Sequence, residues 1–234
     1  MFDPRESTTD VASLRCSTTS TRVVLRSLWR RPVVTGLLII AVVAGATLTN
    51  ATTSFAATTL PPFTSSVAAV SVAQLGRTWH AGCPVAPGKL RLLTLRYVGF
   101  DGRAHQGTMV VNAIVARSVI TIFATLYARR FPIHEMIPES NYAGSDPRSM
   151  AANNTSGFNC RRAVASGPPQ WSVHAFGAAI DVNPVQNPYV FKGVAQPRSG
   201  RAFLDRRDVR AGMAEPGGAL INAFASVGWY WGGR

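Results

Sequence analysis

The sequence contains little negative charge, few histidines and few cysteines. Eleven Asp and Glu residues stand against 24 Lys and Arg, which gives a formal net charge of +13, and the chain has four histidines and three cysteines. A positive charge of this size favours polyanionic partners. The sequence nevertheless contains no motif typical of nucleic-acid-binding domains, so we expect no nucleic-acid partner.

The N-terminal part differs in composition from the rest. Residues 1–32 form a basic leader, the apolar segment 33–49 carries no charge, and residues 50–72 are rich in Thr, Ser, Ala and Pro. A helix over 33–49 would be roughly 25 Å long at about 1.5 Å per residue, near the lower limit for crossing a bilayer. Because positive charge flanks this segment on its N-terminal side and none follows in residues 50–72, we expect a cytoplasmic leader, a hydrophobic helix, a flexible linker and an exported domain over 73–234.

The apolar segment has two interpretations. It is either a signal peptide cleaved within residues 54–57, where small residues fit such a site, or an uncleaved signal anchor, which the long basic leader favours. In both cases the sequence predicts export, with the domain either membrane-anchored or secreted to the extracytoplasmic space or cell wall.

Only two cysteines, Cys83 and Cys160, follow the apolar segment. A cysteine pair in an exported domain is more often a disulfide than a metal site. The alternative is two separate buried thiols.

The hydrophobic pattern after residue 72 predicts an α+β domain, with helices packed on a small, mostly antiparallel sheet. A hairpin is expected from strands at 90–99 and 108–112, followed by an amphipathic helix over 113–130. We further expect a short helix over 218–227 and strands at 133–137, 180–183 and 229–231. Two long polar loops should separate these elements, over residues 139–162 and 184–218.

The segment 172–183 carries the clearest chemical signal. His174 and Asp181 would face opposite sides of one straight strand, so their side chains can converge only if the chain turns, which Gly177 permits. A neutral imidazole and a carboxylate brought together are two of the three protein ligands of an open zinc site. The alternative is a hydrogen-bonded loop histidine and an aspartate that caps a turn.

The pattern Ser-x-His-x-x-Gly-x-Ala-x-Asp over 172–181 resembles the signature of the zinc D-alanyl-D-alanine carboxypeptidase family of metallopeptidases. This family includes D-alanyl-D-alanine carboxypeptidases, dipeptidases and L-alanyl-D-glutamate endopeptidases, and the chain looks most like the endopeptidase branch. The resemblance runs from about residue 75 onward. Further similar segments occur in the expected order at 82–85, 97–102, 154–161 and 228–234.

The resemblance implies zinc as the cofactor and peptidoglycan stem peptides that contain D-amino acids as the substrates. His174 and Asp181 would bind the zinc ion, and Arg161 would have a catalytic role in which it binds the substrate carboxylate or stabilises an oxyanion. The alternative is that Arg161 is an ordinary surface arginine. The basic surface would also suit anionic cell-wall polymers.

Several other residues have two interpretations each. Ser172 and Gly177 would orient the zinc ligands without binding the metal themselves. The alternative for Ser172 is that it only caps the turn. Three tryptophans either line a substrate groove or pack in the core, and these are Trp171, Trp229 and Trp231.

The chain departs from the family pattern at its end. Family members have an acidic residue and a histidine about ten residues after the tryptophan strand, in an Asp-x-x-His-Phe type of motif that supplies the acid/base and the third zinc ligand. Arg234 is the last residue here, and His80, His105 and His134 lack ligand-like spacing. We therefore expect an incomplete peptidase domain with weak or no activity. The alternatives are a non-catalytic cell-wall-binding module that retains the fold and a structural envelope protein.

Overall fold

The computed structural model describes residues 1–3 and 59–233. The predicted apolar helix at 33–49, most of the basic leader and the first part of the predicted linker lie outside these residues. Within residues 1–3 and 59–233, no helix is both long and apolar enough to cross a bilayer.

A three-stranded antiparallel sheet forms one side of the domain. Strands β2 (Ser65–Ala69), β3 (Leu90–Val98) and β4 (Ala104–Asn112) lie in that order, and Leu93 of β3 faces Met109 of β4. Strand β2 belongs to the segment that composition assigned to a flexible linker. All five of its side chains are exposed, so it has no apolar alternation that would reveal a strand, and its backbone pairing with β3 defines it.

A short helix, α1 (Val72–Leu75), precedes β3, and the main helix, α2 (Ala116–Ala128), packs against the sheet with one apolar face. Val119, Ile122, Phe123 and Leu126 follow helical spacing and are almost fully buried. The helix follows a 3₁₀ turn over Ala113–Val115, where the Asn112 side chain accepts a hydrogen bond from the Ile114 N–H at 3.2 Å. The predicted helix at 113–130 is therefore present but shorter.

Two predicted strands do not form. The segments 133–137 and 180–183 make only isolated single-residue bridges, Glu135 with Asn154, Ile180 with Phe2 and Asp181 with Ser156, so neither forms a continuous ladder with a neighbouring strand. The predicted long loops also contain regular structure. They hold a 3₁₀ turn at Glu139–Tyr142, helix α3 (Asp146–Ala151), the hairpin β5 (Tyr189–Phe191) and β6 (Val194–Gln196), and a 3₁₀ helix at Arg198–Phe203.

The end of the chain pairs with its beginning. After helix α4 (Ala219–Ala225), strand β7 (Tyr230–Trp231) pairs antiparallel with β1 (Phe2–Asp3). Phe2 is 1% exposed, and its ring stacks on that of Phe224 with a centroid distance of 3.8 Å.

A disulfide joins Cys83 to Cys160, and the pairing expected for an exported domain is therefore present. The two cysteines are 77 residues apart. In the chain-entropy description, closing a loop of that length stabilises the folded state by about 4.5 kcal/mol. The bond fixes the loop before β3 to the segment that leads into the candidate site. The domain is thus α+β with small antiparallel sheets, as the sequence predicts.

Candidate active site

The His174 side chain is positioned by a single 3₁₀ turn over Val173–Phe176. Ser172 begins the turn, and its Oγ accepts a hydrogen bond from the His174 N–H at 3.3 Å. Gly177 ends the turn in the left-handed region, with φ of 64°. A Cβ atom at this position would lie 2.7 Å from the backbone nitrogen of Asn112 in β4. The turn therefore depends on glycine both for its conformation and for its contact with the sheet.

The turn brings His174 and Asp181 together. His174 Nε2 lies 3.2 Å from Asp181 Oδ2, and the exposed fractions of the two side chains are 2% and 19%. Asp181 is held by its backbone, which exchanges two hydrogen bonds of 3.0 Å with Ser156. The two groups predicted from the sequence thus converge, with the carboxylate on the more accessible side.

The tautomer of His174 is fixed by the hydrogen bond of Nδ1, the ring nitrogen that does not face Asp181. Nδ1 lies 2.6 Å from the carbonyl oxygen of Gly157, and because a carbonyl only accepts, Nδ1 carries the hydrogen. In the neutral ring Nε2 then presents a lone pair toward the Asp181 carboxylate. Nε2 is buried and makes no hydrogen bond of acceptable geometry. A lone pair and a carboxylate oxygen at this distance repel each other unless a proton or a metal cation lies between them.

The electrostatics of the pair agree with this requirement for positive charge. Burial lowers the pKa of His174, but the Asp181 carboxylate and the Gly157 carbonyl oppose this, and the net shift is upward. Burial raises the pKa of Asp181, whereas His174, the Met1 amine and Arg161 lower it well below its usual range. Asp181 is thus an anion at neutral pH. A buried imidazole with one nitrogen fixed by a carbonyl, next to an anionic carboxylate, is a suitable pair of ligands for a divalent metal.

Arg161 lies beside the pair but is bound to another acid. Its Nη2 is 2.9 Å from Oδ1 of Asp146, which is 8% exposed. Burial raises the pKa of Asp146. The positive charge of Arg161 opposes this, but the net shift is upward. The guanidinium neutralises a buried carboxylate and adds positive potential at Asp181. The sequence signal for Arg161 gave no hint of this partner.

Sequence reasoning missed Glu139, a buried acid behind the pair. It is 3% exposed and accepts hydrogen bonds from Ser156 Oγ at 2.7 Å and Asn159 Nδ2 at 3.4 Å. Burial raises the pKa of Glu139 to about 7. Ser156 connects the two acids, since its side chain binds Glu139 and its backbone binds Asp181. Residues 153–159 are mostly polar and are buried in the domain. This polar segment was the one feature of the sequence that could have indicated a buried polar partner such as Glu139.

The three tryptophans occupy different environments. Trp229 is 3% exposed and packs edge-on against Phe224, so it belongs to the core and cannot line an open groove. Trp231 is half-buried in β7, opposite Phe2. Trp171 is half-buried under the guanidinium of Arg162, 4.0 Å from the ring centroid. Of the three predicted groove residues, Trp229 is thus wrongly assigned.

The remaining histidines do not reach the pair. His105 binds Asp101 at 2.9 Å, His134 lies beside Phe100, and His80 contacts the disulfide. Across residues 1–3 and 59–233, the one group of three His, Cys, Asp or Glu ligand atoms within 4.8 Å of one another is His80, Cys83 and Cys160. In this part of the chain His174 and Asp181 therefore form a two-ligand site.

A comparison with protein families agrees with the site. The model of a family described as D-alanyl-D-alanine carboxypeptidase matches residues 166–234, which include His174 and Asp181. The match covers less than a third of the chain and supports a peptidase of the D-alanyl-D-alanine carboxypeptidase type. Comparisons with curated proteins and with solved structures gave no match.

Proposed function

We propose that the protein is a zinc peptidase of the cell envelope that hydrolyses stem peptides of peptidoglycan containing D-amino acids. The observation that carries the proposal is the buried Nε2 of His174, which makes no hydrogen bond and lies 3.2 Å from the Asp181 carboxylate. This pair lies within the residues that match the peptidase family.

His174 and Asp181 would hold the zinc ion through one nitrogen and one carboxylate. When bound, zinc polarises a scissile carbonyl and lowers the pKa of a bound water. The two ligands are preorganised, since the Gly157 carbonyl orients the imidazole and Ser156 holds the backbone of Asp181. The Arg161 guanidinium, which is paired with Asp146, contributes positive potential at Asp181, and a guanidinium suits an anionic substrate carboxylate.

We propose further that the chain of 234 residues has weak activity. Three protein ligands are usual for catalytic zinc, and two meet among the described residues. A third ligand and an acid/base group from another segment would complete the site. The net charge of +13 suits retention on anionic cell-wall polymers after export, with residues 33–49 as a membrane anchor or a signal peptide.

The test combines metal content with peptide hydrolysis. We expect purified protein to bind one zinc ion and to release D-alanine or a dipeptide slowly from stem peptides. His174→Ala should lower zinc affinity by at least about tenfold, since a ligand is lost. His134→Ala is the matched control, because the His134 side chain is exposed and its ring lies against Phe100, without a contact to His174 or Asp181. Equal zinc binding by both variants would contradict the proposal.

A non-catalytic cell-wall-binding module is the second candidate, and the two-ligand site favours it. Such a module would sediment with peptidoglycan equally well before and after removal of zinc, and His174→Ala would bind the polymer like the wild type. Zinc-dependent release of a peptide product would exclude it.

A further inference from the structure

A second cluster of possible metal ligands lies outside the proposed active site. His80, Cys83 and Cys160 bring one imidazole nitrogen and two sulfurs within 4.8 Å of one another. The two sulfurs are joined as a disulfide, with a Cα–Cα distance of 5.9 Å. A disulfide does not bind zinc as thiolates do, so the cluster can ligate a metal only after reduction.

The imidazole of His80 is already oriented for ligation. Its Nδ1 lies 2.8 Å from the carbonyl oxygen of Ala81, which fixes the hydrogen on Nδ1. Nε2 is therefore the nitrogen with the free lone pair, and it lies 3.6 Å from Cys160 Sγ. Two ligands on tetrahedral zinc, with Zn–N of about 2.05 Å and Zn–S of about 2.3 Å, are about 3.6 Å apart. The observed separation thus matches that of two ligands on one ion.

The loop that carries two of the ligands has the geometry of a metal-binding turn. His80 and Cys83 are three residues apart, the Cys83 N–H donates to the His80 carbonyl oxygen at 3.1 Å, and Gly82 has φ of 91°. The His80 N–H points back at Cys83 Sγ, with a distance of 3.2 Å. A backbone N–H directed at sulfur stabilises the thiolate once the disulfide is opened. A histidine and a cysteine at this short spacing are common zinc ligands.

We propose that His80, Cys83 and Cys160 form a redox-gated site for zinc or a similar divalent metal, which is closed as the disulfide and open as the dithiolate. A dithiol reductant gives two electrons and two protons to the Cys83–Cys160 bond and becomes a disulfide itself. Zinc then replaces the two thiol protons and accepts Nε2 of His80 as a third ligand. The exposed side of His80 leaves the fourth position to water.

Cobalt(II) is the probe that separates this site from the His174–Asp181 pair. Thiolate ligands give cobalt an intense charge-transfer band in the near ultraviolet, and the His174–Asp181 pair contains no sulfur. The full chain is reduced with a small dithiol, freed of it by gel filtration without oxygen, and titrated with cobalt. We expect a thiolate-to-cobalt band that saturates at one equivalent, disappears on addition of zinc and is absent from the oxidised protein.

Variants assign the ligands. His80→Ala should weaken cobalt binding at the sulfur site by at least about tenfold, and the matched control His134→Ala should leave it unchanged. A double variant, His174→Ala with Asp181→Asn, should keep the thiolate band in full, so that failure of the proposed active site is distinguishable from failure of this one. Absence of the band from reduced wild type, or an equal affinity in His80→Ala, would overturn the proposal.

Loss of the disulfide by itself destabilises the fold, so folding is followed in parallel by circular dichroism. If the reduced, metal-free chain unfolds, zinc should restore its structure, and Cys83→Ser, which cannot form the site, should stay unfolded under the same conditions. Equal recovery of the wild type and Cys83→Ser would refute a metal site at these sulfurs.

Discussion

Replacing Gly177 with alanine tests whether one turn assembles the candidate active site. The residue has φ of 64°, and an added Cβ would approach the backbone nitrogen of Asn112 to 2.7 Å. A left-handed conformation costs an alanine about 1–2 kcal/mol. Crowding against the sheet backbone, which has little room to move, adds about 1–3 kcal/mol. We therefore expect Gly177→Ala to lower the free energy of unfolding by about 2–5 kcal/mol.

Gly217 offers a matched control for the conformational part of that cost. Its φ is 73°, and a Cβ atom there would meet nothing within 4 Å. Gly217→Ala should thus cost about 1–2 kcal/mol from the left-handed conformation alone. The difference between the two variants isolates the contact of the turn with β4.

Urea denaturation gives the two stabilities, and zinc titration reports on the site. Crowding at Gly177 should move His174 relative to Asp181, so we expect zinc affinity to fall at least about tenfold in Gly177→Ala and to be unchanged in Gly217→Ala. Equal losses of stability in the two variants, with equal zinc affinity, would refute the reasoning.

Two further predictions concern Glu139 and Phe2. The pKa of Glu139 is raised to about 7 in the folded state, so the folded protein binds the extra proton and its stability should decrease by about 3 kcal/mol as pH rises from about 4.5 to 7. Glu139→Gln should flatten this dependence in urea denaturation at several pH values, whereas Glu215→Gln should retain it. Phe2→Ala should cost about 3–5 kcal/mol because it removes a buried ring, as measured by thermal unfolding. An unchanged stability would mean that the packing of Phe2 in β1 does not contribute to the folded domain.

The parts of the fold that follow apolar periodicity are the parts that the sequence predicts well. Helix α2 and the hairpin of β3 and β4 bury alternate or helically spaced apolar residues, so pattern and structure coincide. Strand β2 has only exposed side chains, and the backbone of β3 decides its conformation. The segments 133–137 and 180–183 carry buried apolar residues, yet their backbones pair only through single-residue bridges. Local sequence does not contain that information.

In the candidate site, too, the sequence predicts the local features and misses those that depend on distant segments. The convergence of His174 and Asp181 follows from their spacing and from one glycine, both of which are local features. The buried partners do not, because Glu139 and Asp146 meet the site through loops whose path depends on the whole domain. The proximity of His80 to the disulfide is equally non-local, since Cys160 comes from a segment 80 positions away.

The beginning of the chain adds a physical constraint on how the candidate site is completed. Phe2 exchanges backbone hydrogen bonds with Ile180, at 2.9 and 3.0 Å, and pairs with Trp231 on its other side. The space between residue 180 and β7 is thus one strand wide, and β1 fills it. Met1, the residue before β1, therefore lies beside Asp181, with its amine 3.5 Å from Oδ1. Any strand that supplies a third metal ligand from this direction must displace β1. A strand that entered this space would therefore compete with β1, and Phe2→Ala, which weakens β1, should make its entry easier.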